Sequence, residues 1–365
     1  FGARSQSRLY ARLDHGQSFA QFGDIGTPRE AARQLGAFDR SFNGARGAVV
    51  NGPLAIGGFA SRGRSHQVID ELPGRGISGP YALSRTDAVL NSERVELVTR
   101  DRSQPARILS RVSLTRFADY TVEAFTGRLL FRRPVSGFDS DLNLVSIRVT
   151  YETESLADEF WVAGGHATVT VGKLAVGGAM SRDDDPSRPR DLASVNATLR
   201  PMAGVELVAE YARSDSARGG FDATNSEAKR AELLLARGGA SARAWALRVD
   251  GGFDNASSGV TPGREELGGT AKLPLGTRTH AFATAIRTRD LLTGGQRQGI
   301  DAGLSQAIGK HLRLDGAFRS AEETNAPASA LTAGATPSET NSLRGRLTTQ
   351  LPRNLTAFGE YEQDL

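Results

Sequence analysis

Charged side chains recur at alternate positions of short apolar segments through the second half of this 365-residue chain. The row comprises Glu206, Glu210, Arg213, Arg243, Arg248, Asp250, Arg287, Asp301, Arg313, Asp315, Arg344 and Arg346. On the wall of a water-filled lumen such a row sets the local field and the selectivity for ions. In a filled interior the same charges pair across neighbouring strands. Mixed signs fit either use, so these residues are the candidate lumen-facing site.

Other chemistries find little support. The five histidines (His15, His66, His166, His280 and His311) have no HxxxH or other short ligand spacing, and no acidic cluster surrounds them, so no metal site is expected. Asp183-Asp184-Asp185 could hold calcium through carboxylates. It lacks the spacing and glycine of a calcium loop, and with Arg188 and Arg190 close by, local charge pairing is the favoured reading. There is no Gly-x-Ser-x-Gly elbow. Ser241, Ser305 and Ser342 read as strand-edge or lumen serines, so no catalytic residue is expected and the protein is read as non-enzymatic. The Gly-Gly pairs at 177, 251, 268 and 294 precede neither Gly-Lys-Ser/Thr nor a helix, so no nucleotide or other cofactor is expected. Without cysteine, disulfide and thiolate chemistry are excluded. The formal net charge of +4 is scattered along the chain, which argues against nucleic acid as a partner.

The elements that must carry this row are strands. In Val205–Tyr211, Val205, Leu207, Ala209 and Tyr211 alternate with Glu206, Val208 and Glu210. In His311–Arg319, Leu312, Leu314, Gly316 and Phe318 alternate with His311, Arg313, Asp315 and Arg319. Period two is the mark of a strand with one apolar and one polar face. Tight turns are expected near Asn51-Gly52-Pro53, Val171-Gly172-Lys173, Pro201–Gly204, Gly238-Gly239-Ala240, Pro274-Leu275-Gly276, Gly309-Lys310-His311 and Pro352-Arg353-Asn354. Long polar loops are expected between them, at Arg182–Asp191, Ser214–Glu227, Phe253–Glu265, Asp290–Gln298 and Ala321–Asn341, with a short helical piece over Pro28–Gln34.

Tight turns at one end and long loops at the other resemble Gram-negative outer-membrane β-barrel proteins. The stretch Asp70–Tyr81, with Asp119-Tyr120 and Phe131–Val135, is similar to a β-rich module beside barrel strands in large bacterial surface and envelope proteins. A β-domain set between barrel strands also resembles the architecture of ushers. The resemblance implies an all-β fold: an antiparallel transmembrane barrel of about 14–16 strands with an inserted small β-sandwich. Residues 1–64 would supply the first barrel hairpins, 65–152 the insert, and 153–365 the remaining strands. The insert's core is expected from Val95, Leu97, Ile108, Leu114, Tyr120, Val122, Leu130 and Ile147. Both ends of the chain are expected to lie within a longer protein. The functional expectation is a pore or export conduit in the bacterial outer membrane, with membrane lipid as its partner and its substrate unidentified. The alternative is a membrane-anchored adhesin or structural envelope protein whose insert and loops bind a partner.

Overall fold

The computed structural model describes residues 10–27, 32–89, 92–102, 108–123, 126–139, 141–154, 158–217, 224–324, 338–352 and 355–365. Among these there is no helix. Part of the helical piece expected over Pro28–Gln34 lies outside the described residues, and residues 32–34 form a turn, an isolated bridge and a bend. Much of the loop Ala321–Asn341, part of Ser214–Glu227 and two residues of the last expected turn also lie outside them.

The chain opens with β1 (Tyr10–His15), β2 (Ser18–Gly26), β3 (Ser41–Asn51) and β4 (Leu54–Gly63). Seven strands follow in the region expected to be an insert: β5 (Ser65–Pro73), β6 (Tyr81–Ala82), β7 (Arg94–Arg100), β8 (Ile108–Ser113), β9 (Tyr120–Glu123), β10 (Arg128–Phe131) and β11 (Leu144–Glu154). Six long strands continue as β12 (Phe160–Val171), β13 (Leu174–Asp183), β14 (Arg190–Met202), β15 (Val205–Ser216), β16 (Thr224–Arg237) and β17 (Ala240–Val249). The last six are β18 (Arg264–Pro274), β19 (Thr279–Asp290), β20 (Gln296–Ile308), β21 (Leu312–Thr324), β22 (Ser338–Leu351) and β23 (Leu355–Asp364).

Sixteen of these strands form one antiparallel sheet, running in order from β1 to β4 and then from β12 to β23. β4 pairs directly with β12, from Phe160↔Gly63 to Val169↔Leu54. The intervening strands therefore leave and re-enter the sheet between hydrogen-bonded neighbours. Among the described residues β1 pairs only with β2, and β23 only with β22, so closure of the sheet is not among the observed pairings.

Connections alternate strictly in length. Gly16-Gln17, Gly52-Pro53, Gly172-Lys173, Ala203-Gly204 and Gly238-Gly239 each join two strands at one end of the sheet. Gly172 and Gly204 sit at φ 58° and 77°, a left-handed conformation that tight hairpins need and side chains resist. The long connections, including the one that carries β5–β11, all lie at the opposite end.

Register gives the sheet two unlike faces. On β21, Leu314 and Phe318 belong to the exposed set, and Leu343 and Leu347 follow on β22. The same face carries Leu304 and Ile300 on β20, Leu267 on β18, Val195 on β14, Val176 and Met180 on β13, and Ile56 on β4, all solvent-exposed. The other face carries the polar side chains and is covered at the loop end. There Leu35, from the β2–β3 connection, packs with Leu192, Ala212, Ala228, Val249 and Phe253. This covered face is the inner one.

Strands β5–β11 form two sheets around a shared core. The four-stranded sheet, in order β5-β11-β7-β8, contributes Val95, Ile147, Val149 and Tyr151. The three-stranded sheet β6-β10-β9 contributes Tyr81, Tyr120, Leu129 and Phe131. Leu97, Leu114 and Val122 pack against this core. Two expected members differ. Leu129 is buried in place of Leu130, because Leu129 shares a face with Phe131 on β10, and Ile108 borders a cavity instead.

These seven strands touch elements from both ends of the large sheet. The Gln67 amide donates to the carbonyl of Asp39 just before β3 (3.0 Å), and Arg102 meets Glu362 on β23 at 2.9 Å. Sixteen strands laid flat would span roughly 70 Å. A unit the size of β5–β11 spans only about 30 Å. The large sheet therefore curls around the insert.

Candidate functional site

Strand alternation sorts the charged row between the two faces. Glu206 and Glu210 on β15, Arg243 on β17, Asp301 on β20, Arg313 and Asp315 on β21, and Arg344 and Arg346 on β22 share the inner face through successive pairings such as Glu206↔Leu234, Leu234↔Arg243 and Asp301↔Arg319. Arg248 does not. It is five positions from Arg243 on one strand, an odd number, so it points the other way, in register with Lys229 and Glu265. Arg287 is outward for the same reason, since Ile286 beside it is the buried residue, and it bonds to Gln296 (3.0 Å). Arg213 is outward, opposite Glu227, and Asp250 lies just past the end of β17 at the loop side.

Two anchors on the inner face join residues that no spacing in the sequence links. The first is a buried ion-pair hub. Arg40 ends the β2–β3 connection at 3% exposure and donates to both oxygens of Glu152 on β11, which is 2% exposed, at 2.9 and 2.6 Å. Its third contact is Asp183 at the end of β13 (2.6 Å), and Arg190 approaches the same carboxylate at 3.4 Å. The Arg40 guanidinium also donates to the Ser65 carbonyl (3.0 Å) at the first residue of the insert. Burial alone would lower the basicity of Arg40, but the carboxylates of Glu152, Asp183 and Asp185 outweigh it, so Arg40 stays charged throughout the accessible pH range. Burial raises the Glu152 carboxyl above the usual carboxylate range, against the pull of Arg40.

The neighbouring acidic loop follows the charge-pairing reading. Asp183 belongs to the hub, Asp184 bonds to Arg182 (2.7 Å), and Asp185 meets His66 Nδ1 (2.5 Å) and the Ser187 hydroxyl (2.6 Å). Burial would raise the Asp185 carboxyl, yet hydrogen bonds from Ser187 and His66 hold it below the usual range.

The second anchor is Glu210. Its buried carboxylate accepts the backbone N–H groups of Gln34 and Gly36, each at 2.8 Å, and lies 3.5 Å from Arg230. This pins the β2–β3 connection to the inner face at Leu35. From the β17–β18 connection, the Asn255 amide donates to the Leu35 and Ala37 carbonyls (2.6 and 2.8 Å), and the Asp39 N–H donates to the Ser257 hydroxyl (2.9 Å). The two loops thus interlock over the inner face of β14–β17. No local pattern marks either loop for this role, although Glu210 itself belongs to the alternating row.

Across from these anchors the insert stands off the wall. A cavity of about 1150 Å³ separates Asp101, Arg102, Ile108, Leu109 and Asp141 from the inner face of β17–β23. Seven arginines and five carboxylates line it. On the wall, Arg319 binds Asp301 (3.0 Å), Arg344 approaches the same carboxylate (3.6 Å), and Arg313 bonds to Asp315 (2.9 Å). The insert crosses the gap by a few ion pairs: Arg102 with Glu362 (2.9 Å) and Glu360 (3.7 Å), and Asp141 with Arg346. Arg346 lies past the middle of β22 as counted from its loop end, so the insert reaches well into the curled sheet. Among the described residues no group of three or more His, Asp or Glu side chains is arranged to hold a metal ion. The arrangement can therefore bind, orient or exclude a charged solute. No protein-family model matches this chain, and no curated protein matches it.

Proposed function

We propose that the curled sixteen-strand sheet is the wall of an outer-membrane β-barrel, and that β5–β11 form a small β-sandwich plug in its interior. The protein acts as a non-enzymatic pore or export conduit whose passage the insert obstructs. The observation that carries this reading is the contrast between the faces. Exposed leucine, valine and isoleucine cover the outer face strand after strand, while charges pair inside. Soluble proteins rarely expose contiguous apolar patches beyond a few hundred Å². Lipid on that face removes the difficulty, since each such side chain favours an apolar surrounding by about 1.5–3 kcal/mol when fully buried. Fourteen of the wall strands, β3, β4 and β12–β23, have 10–14 described residues, which suits a tilted crossing, for which about 9–11 residues suffice.

Planar bilayers test the conduit. The chain reconstituted intact should conduct weakly, and the chain with residues 65–154 replaced by a short linker should conduct strongly. Equal silence from both would reject the conduit and leave a membrane anchor with an exposed binding module as the better account.

A further inference from the structure

We infer that the cavity between the insert and the wall binds an extended, acidic polypeptide segment, with β8 as the strand to which it pairs. The inference deepens the conduit reading and rests on the insert standing inside the sheet. Three observations carry it.

β8 is the edge of the four-stranded sheet. It pairs with β7 from Glu96↔Ser113 to Arg100↔Ile108, and no strand among the described residues pairs with its other side. A register shift at Thr99/Arg100 disturbs only its first residues, and Ser110–Ser113 remain regular. Proteins usually blunt such an edge with lysine, proline or a cover, because its backbone groups invite another strand. The sequence Ile-Leu-Ser-Arg-Val-Ser has neither lysine nor proline. The Arg111 side chain is tied back to the Gly259 carbonyl (3.0 Å).

Ile108 and Leu109, at the shifted end of this edge, border the cavity, and Ser110–Ser113 continue the edge beyond its lining. The volume of about 1150 Å³ exceeds the roughly 300–1,000 Å³ of ordinary small-molecule pockets. The wall opposite carries Arg243, Arg297, Arg313 and Arg344, paired with Glu232, Glu323, Asp315 and Asp301, with Phe282 and Ile286 between them, and arginines outnumber carboxylates in the whole lining seven to five. Strand addition supplies affinity through main-chain hydrogen bonds, and alternate side chains then meet the neighbouring surface. Here that surface presents a net excess of arginine beside Phe282 and Ile286, which favours acidic and apolar side chains. The arginine wall alone would suit any anion, and the open strand edge is what selects a peptide.

The probe is an eight-residue peptide alternating Glu and Val, titrated calorimetrically into the detergent-solubilised chain at low ionic strength. It should bind. Methylating its alternate amide nitrogens, which removes backbone donors without changing charge, should weaken binding about tenfold or more. A Lys/Val counterpart should not bind, and Arg243→Gln with Arg313→Gln should weaken the Glu peptide about fivefold. Both arginines are about half exposed or more, so these changes leave the fold standing. Undiminished binding of the methylated peptide would overturn strand addition in favour of a simple anion site, and absence of binding would overturn the proposal. Micelles separate this test from conduction. Binding with silent bilayers would leave the peptide site and remove the conduit, and conducting bilayers without binding would do the reverse.

Discussion

Among the places where the insert is held, two are built in opposite ways. Near its root, Arg40, Glu152 and Asp183 form a hub with almost no water contact. At its far side, Arg102 and Glu362 meet with side chains 20% and 30% exposed, and Asp141 is more exposed still. A buried pair resists separation because parting leaves a charge stranded in a poor solvent. A pair in contact with water loses little when it opens, and salt weakens it further. The root is therefore a fixed pivot and the far side a releasable latch. The asymmetry suits an insert whose far side is released more readily than its root.

The largest effect should come from the pivot. Arg40→Met should destabilise the chain by about 3–5 kcal/mol in denaturant unfolding, because Glu152 and Asp183 lose their shared partner. Adding Glu152→Met should recover part of that loss. A double variant as unstable as the sum of two independent losses would mean the hub is not a coupled unit.

Next is Glu210. Glu210→Ala leaves two backbone N–H groups of the β2–β3 connection without their acceptor, and should cost about 2–3 kcal/mol. Hydrogen exchange should rise at Gln34 and Gly36 while the strand amides of β15 stay protected. Unchanged exchange there would show that the loop is held by Leu35 and Asn255 alone.

The latch should give the smallest change in stability and the clearest change in motion. Arg102→Ala should shift unfolding by about 1 kcal/mol or less. Spin labels at positions 109 and 348, on opposite sides of the cavity, should nevertheless report a broader distance distribution than in the parent, and raised salt should broaden the parent in the same way. Identical narrow distributions would make both attachments rigid and end the distinction between pivot and latch.

Much of the wall was legible because its information is local. Period-two alternation in Leu312–Phe318 assigns each side chain a face from its immediate neighbours, and glycine at Gly172 and Gly204 marks the turns. Arg248 and Arg287 were grouped with the inner charges by residue type, although counting parity from Arg243 and Ile286 sets them outside. The hub was not legible. Arg40 meets residues 112 and 143 positions away, and no periodicity links a loop arginine to the end of one strand and the interior of another. Leu129 and Leu130 show the same limit at short range, since hydropathy cannot choose between adjacent leucines and only the position of Phe131 does.

The proposed membrane conduit depends on lipid meeting the apolar face of the sheet, and accessibility scanning along β21 in reconstituted vesicles addresses that directly. The chain has no cysteine, so single spin labels can be placed at each position from 312 to 319 without background. Labels at 312, 314, 316 and 318 should respond to oxygen, which concentrates in the bilayer. Labels at 313, 315, 317 and 319 should respond instead to a water-soluble nickel chelate, with a period of two residues. Equal chelate access on both faces, or the opposite phase, would contradict a lipid-facing outer wall and with it the membrane conduit.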